Sequence, residues 1–260
     1  MWKILVYASA HVSLVRTSPQ LSDSYTGPLK ETFNDITRSL LEECSFCAKV
    51  DAVDIVPSLS TKTFLNKYAY TGRPVLVTND KSFGRSPGFD FEFFKNLSKA
   101  KQLKTCQFFR YKTKFKTLDD ALNMDQDQAT LKPGYTPWYI GWNICDNKTI
   151  DIVKERIDIP SFLPENLAFP NSKIWIFIGT PGNGAPMHLD KVKYPSWQTQ
   201  LSGSKKWTLQ SPPKCIFSCR KHFEVTVHAG QLLILDTNIW YHQTKTIGQN
   251  ISIAVSGEYK

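Results

Sequence analysis

Hydrophobic residues follow two different spacings along this chain of 260 residues. In the first half, apolar side chains recur at the three- and four-residue steps of an amphipathic helix, which predicts helices over residues 30–48, 60–70, 89–103 and 118–123. Short apolar runs bounded by turn-forming residues predict strands over residues 74–78 and 106–111. The N-terminal part is therefore expected to be helical, with two early strands.

The second half changes to short strand-like runs without helices between them. After an aromatic run over residues 138–142, these runs lie at 174–178, 187–190, 196–201, 206–210, 224–227, 231–235 and 251–255. Such a succession predicts an antiparallel sandwich or barrel. We therefore expect a mainly β fold with a helical N-terminal part, built on a double-stranded β-helix, or jelly roll. The expected division is an N-terminal helical segment over 1–50 and one domain over 51–260, whose β-helix core spans about 135–258.

The distribution of charged residues indicates which kinds of molecule the chain binds. The net charge is +9, from 32 Lys and Arg against 23 Asp and Glu, but the basic residues are scattered along the chain. Because no recognition helix, zinc finger or RNA-binding motif accompanies them, they indicate a solvated basic surface. Nucleic acid is therefore not favoured as a direct substrate. Nothing in the pattern indicates an oligomeric state.

Two features bear on the compartment. The apolar stretch over residues 4–15 is interrupted by polar residues, is too short to span a membrane, and resembles a signal peptide only weakly. The six cysteines include two close pairs, Cys44 with Cys47 and Cys215 with Cys219. These pairs predict disulfides in an oxidising compartment, a four-thiolate zinc site, or buried free thiols. The compartment stays open between the cytoplasm or nucleus and the secretory pathway.

Candidate metal ligands stand at His188, Asp190 and His242. His188 and Asp190 are separated by one residue on a predicted strand, so their side chains should point to the same face. His242 lies 54 residues after His188 (242 − 188 = 54), and the intervening strands can bring it back beside the pair. Two imidazoles and one carboxylate on one face of an octahedral ion leave three positions open, as in non-haem iron(II) oxygenases. A packed or surface histidine is the competing interpretation at each position.

Several motifs occur in the order found in JmjC domains. They are Gly184-Ala-Pro-Met-His-Leu-Asp190, the run from Trp197 to Trp207, Pro212-Pro213, Gly230-Gln-Leu-Leu-Ile-Leu-Asp236 and Trp240-Tyr-His242. Over roughly residues 170–258 the chain therefore resembles the JmjC family of cupin-fold oxygenases. The segments over residues 64–68 and 72–77 resemble the part that introduces this domain in small, hydroxylase-type members.

The resemblance implies an enzyme that uses Fe(II), 2-oxoglutarate and O2, with the three candidate ligands as its catalytic and metal-binding residues. It places Lys205 in the family's Gly-x-Lys motif, as the cation for the distal carboxylate of 2-oxoglutarate. The family's usual threonine, three residues before the first histidine, is replaced by Ala185. The other cosubstrate-binding residues expected are Tyr139, Ser196, Trp207 and Thr208.

The function implied by this resemblance is hydroxylation of a protein side chain. Hydroxylation is favoured over demethylation because the sequence contains no recognisable histone-reading or zinc-rich module. Two alternatives stay open: removal of N-methyl groups from histones or other proteins by the same chemistry, and a non-catalytic cupin-fold scaffold or binding protein.

Overall fold

The computed structural model describes residues 42–79, 88–144, 146–168 and 173–260. The helix predicted over residues 30–48 lies mostly outside these ranges. Within them, residues 42–43 are helical and residues 44–49 form turns. The N-terminal helical segment over residues 1–50 therefore stays a prediction.

Five α-helices lie wholly within the described residues, and each begins at a polar side chain that caps it. Ser60, for example, accepts a hydrogen bond from the Thr63 backbone N–H at 3.1 Å, which satisfies one of the donors left unpaired in a first helical turn. The helices are α1 (Thr61–Lys67), α2 (Phe91–Lys99), α3 (Leu118–Leu122), α4 (Gln126–Ala129) and α5 (Asn147–Lys154). The first three confirm predicted helices, whereas α4 and α5 fall outside the predictions. None of the described helices has the length and apolar character needed to cross a membrane.

Eleven strands lie within the described residues. They are β1 (Asp54–Val56), β2 (Val75–Val77), β3 (Gln107–Phe109), β4 (Tyr139–Ile144), β5 (Ile174–Gly179), β6 (Ser196–Ser202), β7 (Ser204–Gln210), β8 (His222–His228), β9 (Leu232–Leu235), β10 (Tyr241–Ile247) and β11 (Ser252–Glu258). The larger sheet has the order β1-β2-β9-β6-β11-β5-β4-β3, and the smaller sheet has the order β10-β7-β8. Only β1 and β2 pair in parallel within these two sheets.

Residues of both sheets line one cavity, so the sheets face each other across it. The predicted mainly β fold, built on a double-stranded β-helix, is thereby confirmed. The strand predicted over residues 187–190 is wrong, because this segment forms only an isolated bridge between His188 and His242. Strand β10 was not expected, because its sequence is mostly polar and has no apolar run. The side chains that alternate into the interior, His242, Thr244 and Thr246, are themselves polar.

Helices cover the outer face of the larger sheet. Trp142 of β4 lies in one hydrophobic core with Phe64 of α1 and Phe94 of α2. The Phe94 and Trp142 rings meet edge to face with their centres 5.1 Å apart. Because side chains alternate along a strand, Tyr139 and Asn143 point to the opposite face, where they line the cavity. The same strand therefore contributes to the core and to the site.

Two disulfides join the segment 42–50 to the connection between β7 and β8. Cys44 is bonded to Cys215 and Cys47 to Cys219. The predicted disulfide alternative is confirmed for these four residues. The zinc-site and free-thiol alternatives are wrong for them, because sulfurs bonded in pairs offer no thiolates to a metal ion.

Candidate metal centre

The side chains of His188, Asp190 and His242 meet in the cavity between the sheets. One carboxylate oxygen of Asp190 lies 3.3 Å from His188 Nε2, and the other lies 3.8 Å from His242 Nε2. One ligand atom from each of the three residues lies within 4.8 Å of the other two. Donors that each bind one ion at about 2.0–2.2 Å are separated by about 3–4 Å, so this spacing suits a single metal ion.

The backbone brings the two distant histidines together. His188 and His242 form an antiparallel bridge in which each N–H donates to the other residue's carbonyl, at 3.0 and 2.9 Å. The Asp190 N–H donates to the carbonyl of Thr237, in the loop before β10, at 3.0 Å. These local hydrogen bonds, and not the expected strand alternation, orient His188 and Asp190 toward each other.

Hydrogen bonds to the backbone also determine how each imidazole ring is turned. His188 Nδ1 lies 2.7 Å from the Pro186 carbonyl oxygen, and His242 Nδ1 lies 3.1 Å from the Trp240 carbonyl oxygen. Because a carbonyl oxygen only accepts, each Nδ1 carries a proton, and a neutral ring presents the lone pair of Nε2 toward Asp190. Both histidines thus have the tautomer that a metal ion requires.

The electrostatics of this cluster favour an added cation. Burial lowers the pKa of His242 to about 4, and the neighbouring His188 ring acts in the same direction. At His188, burial opposes the charged form, but hydrogen bonds to Asp190 and to the Pro186 carbonyl outweigh it and raise the pKa. Burial also opposes the charge of Asp190, yet the His188 ring, which donates a hydrogen bond to Asp190 through Nε2 when it is protonated, and the nearby His242 imidazole hold the pKa of the Asp190 carboxyl below its usual value. An ionised carboxylate beside imidazole nitrogens is a donor set suited to a divalent transition metal.

Lys205 lies deep in the protein beside this cavity. Its side chain is fully buried, and its Nζ donates a hydrogen bond to Gln198 Oε1 at 2.9 Å. The ammonium nitrogen lies 5.4 Å from the centre of the Tyr139 ring and 5.5 Å from that of Phe177. No carboxylate among the described residues pairs with it, and burial lowers the pKa of Lys205 to about 7.

Alternation along β7 separates this lysine from its neighbour. Lys205 and Trp207 point inward, and Trp207 stacks on the His242 ring with their centres 5.7 Å apart. Lys206 points outward and forms an ion pair with Glu224 at 2.7 Å. The structure therefore places Lys205, and not Lys206, beside the cavity.

The cavity that the three candidate ligands line also reaches the neighbours of Lys205, namely Tyr139, Phe177 and Gln198, and has a volume of about 540 Å³. Its floor is formed by buried side chains, including Tyr139, Asn143, Trp207, Leu233 and Thr244. Its opening is marked by lining residues that are exposed to solvent, Lys173, Lys191 and Lys193. A small anion that entered through this opening would reach both the histidine cluster and the surroundings of Lys205.

Comparison with known proteins supports the resemblance seen in the sequence. No family model matches the chain. Among curated proteins, the arginine-specific demethylase JMJ22 of Arabidopsis thaliana is 31% identical to this chain over 68 residues, which span 24% of this chain and 14% of the demethylase. The chain resembles the JmjC-domain oxygenases. The resemblance predicted from the ordered motifs is thereby confirmed.

Solved structures similar to this JmjC-like chain include a ribosomal oxygenase. YcfD of Escherichia coli superposes with a TM-score of 0.49 at 15% identity, covering 80% of this chain and 53% of that one. A structure of YcfD in complex with cobalt and succinic acid superposes with a TM-score of 0.49 at 14% identity, covering 78% and 51%. The chain thus spans about half the length of these proteins.

The chain departs from the JmjC pattern at Ala185, and the structure places a hydroxyl nearby. Thr244 Oγ1 accepts a hydrogen bond from the Ala185 N–H at 3.2 Å, and its side chain lies beside that of Tyr139, whose pKa it helps to lower against the larger effect of burial. Thr244 follows His242 by two residues on β10, so both side chains are buried on the cavity side. The Thr244 hydroxyl therefore lies in the region of the cavity beside Tyr139, where Ala185 provides no hydroxyl of its own.

The remaining predicted cosubstrate residues divide into two groups. Tyr139, Ser196 and Trp207 line the cavity. Thr208 does not reach it, because it lies on the outer face of β7 with Lys206 and donates a hydrogen bond to Glu224 at 3.2 Å. The structure therefore does not bring Thr208 together with the other predicted cosubstrate residues.

Gln198, the hydrogen-bond partner of Lys205, carries no motif that marks it in the sequence. It follows Ser196 by two residues on β6, and both side chains line the cavity. Alternation from Ser196 was therefore the available signal for finding it.

Proposed function

We propose that this chain is an Fe(II)- and 2-oxoglutarate-dependent oxygenase that hydroxylates a protein side chain. The observation that carries the proposal is the presence, at one cavity, of a two-histidine, one-carboxylate cluster and a buried lysine that no described carboxylate neutralises. The cluster offers donors suited to a ferrous ion. The lysine offers the positive charge that the far end of a dicarboxylate needs. The similarity to JMJ22 supports the same class of chemistry.

His188, Asp190 and His242 would hold the ion. A ferrous ion bound there supplies open coordination positions for a 2-oxo acid and O2. The hydrogen bonds from each Nδ1 to the Pro186 and Trp240 carbonyls hold the rings in place before the ion arrives. Asp190 contributes the negative charge that partly neutralises the ion.

Lys205 and Tyr139 bind the distal carboxylate of 2-oxoglutarate in this proposal. Burial raises the pKa of Tyr139, so its hydroxyl keeps its proton and can donate a hydrogen bond. Lys205 of β7 pairs with Thr246 of β10, which lies four residues after His242 on the same strand. Lys205 and His242 are therefore offset by four residues along the strand direction. This offset corresponds to about 13 Å between Cα atoms. The two side chains and a five-carbon dicarboxylate together span such a distance.

The proposed reaction uses both atoms of O2. One oxygen atom enters succinate as 2-oxoglutarate loses CO2, and the other enters a C–H bond of the target side chain. The protein's part is to position the reactants and exclude water. Trp207 covers one face of the His242 ring, and the rings of Tyr139 and Phe177 enclose the ammonium group of Lys205.

The similarity to an arginine-specific demethylase favours a second candidate, oxidation of an N-methyl group. The carbon–hydrogen bond broken would then belong to a methyl group on nitrogen, and the hydroxymethyl product would release formaldehyde. The residues that bind 2-oxoglutarate would have the same roles. The two candidates therefore differ only in the target presented to the cavity.

Succinate release from the purified chain with Fe(II), 2-oxoglutarate and a peptide library tests the proposal. We expect release that rises when a target peptide is present and is abolished in Asp190→Ala. Lys206→Ala, which changes the outward-facing neighbour of Lys205, should retain it. A peptide that gains one oxygen atom indicates hydroxylation, and formaldehyde indicates demethylation. Binding of 2-oxoglutarate without succinate release would make the chain a scaffold, and unchanged turnover in Asp190→Ala would contradict the proposal.

A further inference from the structure

The opening of the cavity is strongly basic. Lys173, Lys191 and Lys193 line it and are exposed. None of the three forms an ion pair with a residue that the structure describes. Three cations at one entrance, without described counter-ions, form a positive field that attracts an anionic ligand.

The two described carboxylates that line the same cavity, Asp190 and Glu258, form no ion pair with these three lysines. Asp190 faces the two histidines of the candidate metal centre. Glu258 is only 3% exposed, and its Oε1 accepts hydrogen bonds from the backbone N–H groups of Lys193 and Tyr194, at 2.9 and 3.4 Å. Glu258 thus holds the backbone that carries Lys193, while the exposed Lys193 Nζ lies 5.2 Å from the centre of the Tyr194 ring.

A buried polar group farther inside points to a ligand with N–H donors. Asn143 is 6% exposed and lines the cavity, and its Oδ1 has no hydrogen-bond partner among the described residues. Its pairing partners on the adjacent strands are Gln107 and Trp175, which line the cavity as well. An unpaired buried carbonyl oxygen costs about 1–3 kcal/mol. Rotation about the last side-chain torsion, which is broad in asparagine, turns this oxygen toward a ligand that can donate a hydrogen bond.

We propose that the opening binds an acidic segment of polypeptide, with its Asp and Glu carboxylates on Lys173, Lys191 and Lys193 and one of its N–H groups on Asn143. The inference rests on the proposed function, because it names the class of protein substrate that the oxygenase site receives. The carboxamides of Gln107 and Asn143 each offer a donor and an acceptor, which complement those of a peptide unit.

A polypeptide fits this opening better than a nucleic acid does. All three cations are lysines at one entrance, and none of the described residues that line the cavity is an arginine, whose forked guanidinium suits phosphate groups. A groove that follows a nucleic-acid backbone would instead extend as a basic stripe over many phosphates. The experiment below therefore tests whether the opening binds an oligonucleotide instead.

Fluorescence anisotropy of the full chain, without iron or 2-oxoglutarate, measures this binding directly. The probes are a labelled peptide rich in Glu, the same peptide with Gln at those positions, and a single-stranded oligonucleotide of equal charge. We expect the Glu peptide to bind about tenfold more tightly than the Gln peptide at low salt. The preference should decrease as salt increases. A variant that combines Lys173→Gln, Lys191→Gln and Lys193→Gln should lose it.

The control is Lys245→Gln, which removes the same type of charge from the outward-facing side of β10. It should retain the preference for the Glu peptide. Equal or undetectable binding of the two peptides would overturn the inference, as would a preference that survives the triple substitution. Tighter binding of the oligonucleotide that the triple substitution abolishes would overturn it in favour of nucleic acid.

Asn143→Leu tests the inner contact separately. The substitution removes an unpaired buried acceptor, so the free energy of unfolding should not decrease. Binding of the Glu and Gln peptides should weaken to a similar degree, by about three- to tenfold, because the lost hydrogen bond does not depend on peptide charge. Unchanged affinity in a correctly folded Asn143→Leu protein would remove this residue from the binding site.

Failure of this inference can be distinguished from failure of the proposed function. If the protein binds peptides in a charge-dependent way but releases no succinate with iron and 2-oxoglutarate, the docking surface is supported and the proposed oxygenase activity is contradicted. If it releases succinate but shows no preference for acidic peptides, the oxygenase activity is supported and the docking surface is contradicted.

Discussion

Lys205 is fully buried, and its described polar partner is the neutral side chain of Gln198. If the ammonium form of Lys205 binds the distal carboxylate of 2-oxoglutarate, Lys205→Met should raise the concentration needed for half-maximal succinate release by about 10- to 100-fold. Lys206→Met is the matched control and should leave that concentration unchanged. A larger effect at Lys206 would mean that the inward and outward faces of β7 have been exchanged.

The pKa of Lys205 also predicts how stability depends on pH. Burial lowers this pKa to about 7 in the folded protein, against about 10.4 in an unfolded chain. Between these values the unfolded state binds more protons than the folded state, so the contribution of Lys205 to the free energy of unfolding rises with pH. Lys205→Met should be more stable than the wild type by about 1–4 kcal/mol at pH 7, and the difference should disappear near pH 10.

Chemical denaturation of the two proteins at several pH values, without 2-oxoglutarate, measures this difference. Parallel stability curves for the wild type and Lys205→Met would show that the folded protein does not keep the lysine in a desolvated position.

At the scale of single residues, the alternation of side chains along strands is the most informative signal in the sequence. It correctly separated Lys205 from Lys206, and the same rule places Thr208 on the outer face with Lys206. Thr244 would have followed from His242 by the same two-residue step, had β10 been predicted. Asn143 could not be found in this way, because its role depends on an unpaired atom that only the packed structure shows.

At the scale of elements, the strands of the larger sheet were predictable because they are apolar over most of their length. Strand β9, with the sequence Leu-Leu-Ile-Leu, is buried at every position. The order in which strands pair, with β9 between β2 and β6, depends on long-range contacts that no local pattern encodes. The segment around His188 has the one-residue spacing of His188 and Asp190 that is typical of a strand, which is why a strand is predicted there. In the structure it pairs with its neighbour only through the single bridge to His242.

An ion pair connects the elements at the start of the described domain. Asp54 of β1 receives hydrogen bonds from Arg73 Nε and Nη2 at 2.9 and 2.8 Å and lies 3.0 Å from Lys67 Nζ, at the end of α1. The Arg73 guanidinium holds the pKa of the Asp54 carboxyl well below its usual range. The stabilisation is therefore present above the unfolded-state pKa of about 4 and is lost as the pH falls through the lower folded-state pKa.

We expect Asp54→Asn to lower the free energy of unfolding by about 1 kcal/mol at pH 7. The difference from the wild type should shrink as the pH falls below about 4. Urea denaturation at pH 7 and pH 3 measures both values. A difference that stays constant between these pH values would show that the carboxylate charge is not what stabilises this contact.

At the scale of the whole molecule, two disulfides close nearly the same long loop. They link residues 171 and 172 positions apart in the sequence, and their ends lie within five residues of each other on each side. Removing one bridge leaves the loop closed by the other, so most of the constraint on the unfolded chain persists. The connectivity could not be read from the sequence, because four cysteines allow three pairings.

Substitution of either pair alone, Cys44→Ser with Cys215→Ser or Cys47→Ser with Cys219→Ser, should therefore reduce stability by about 1 kcal/mol or less. Substitution of all four cysteines should reduce it by about 5 kcal/mol, the free-energy equivalent at 25 °C of the entropy that closing a loop of this length removes from the unfolded chain. Denaturation of the three variants tests this non-additivity. Losses that simply add would show that the two bridges act on independent parts of the fold.

The double-stranded β-helix as a whole is predictable from its succession of short strands. The binding of a ferrous ion by His188, Asp190 and His242 needs a direct measurement. That measurement is an anaerobic titration of the protein with Fe(II), followed by 2-oxoglutarate, monitored by visible absorption. We predict one ferrous ion per chain and a change in absorption when 2-oxoglutarate is added, both lost in Asp190→Ala and in His242→Ala. Binding of iron with the same stoichiometry in these variants, or no change in absorption on adding 2-oxoglutarate to the wild type, would contradict the proposed metal centre.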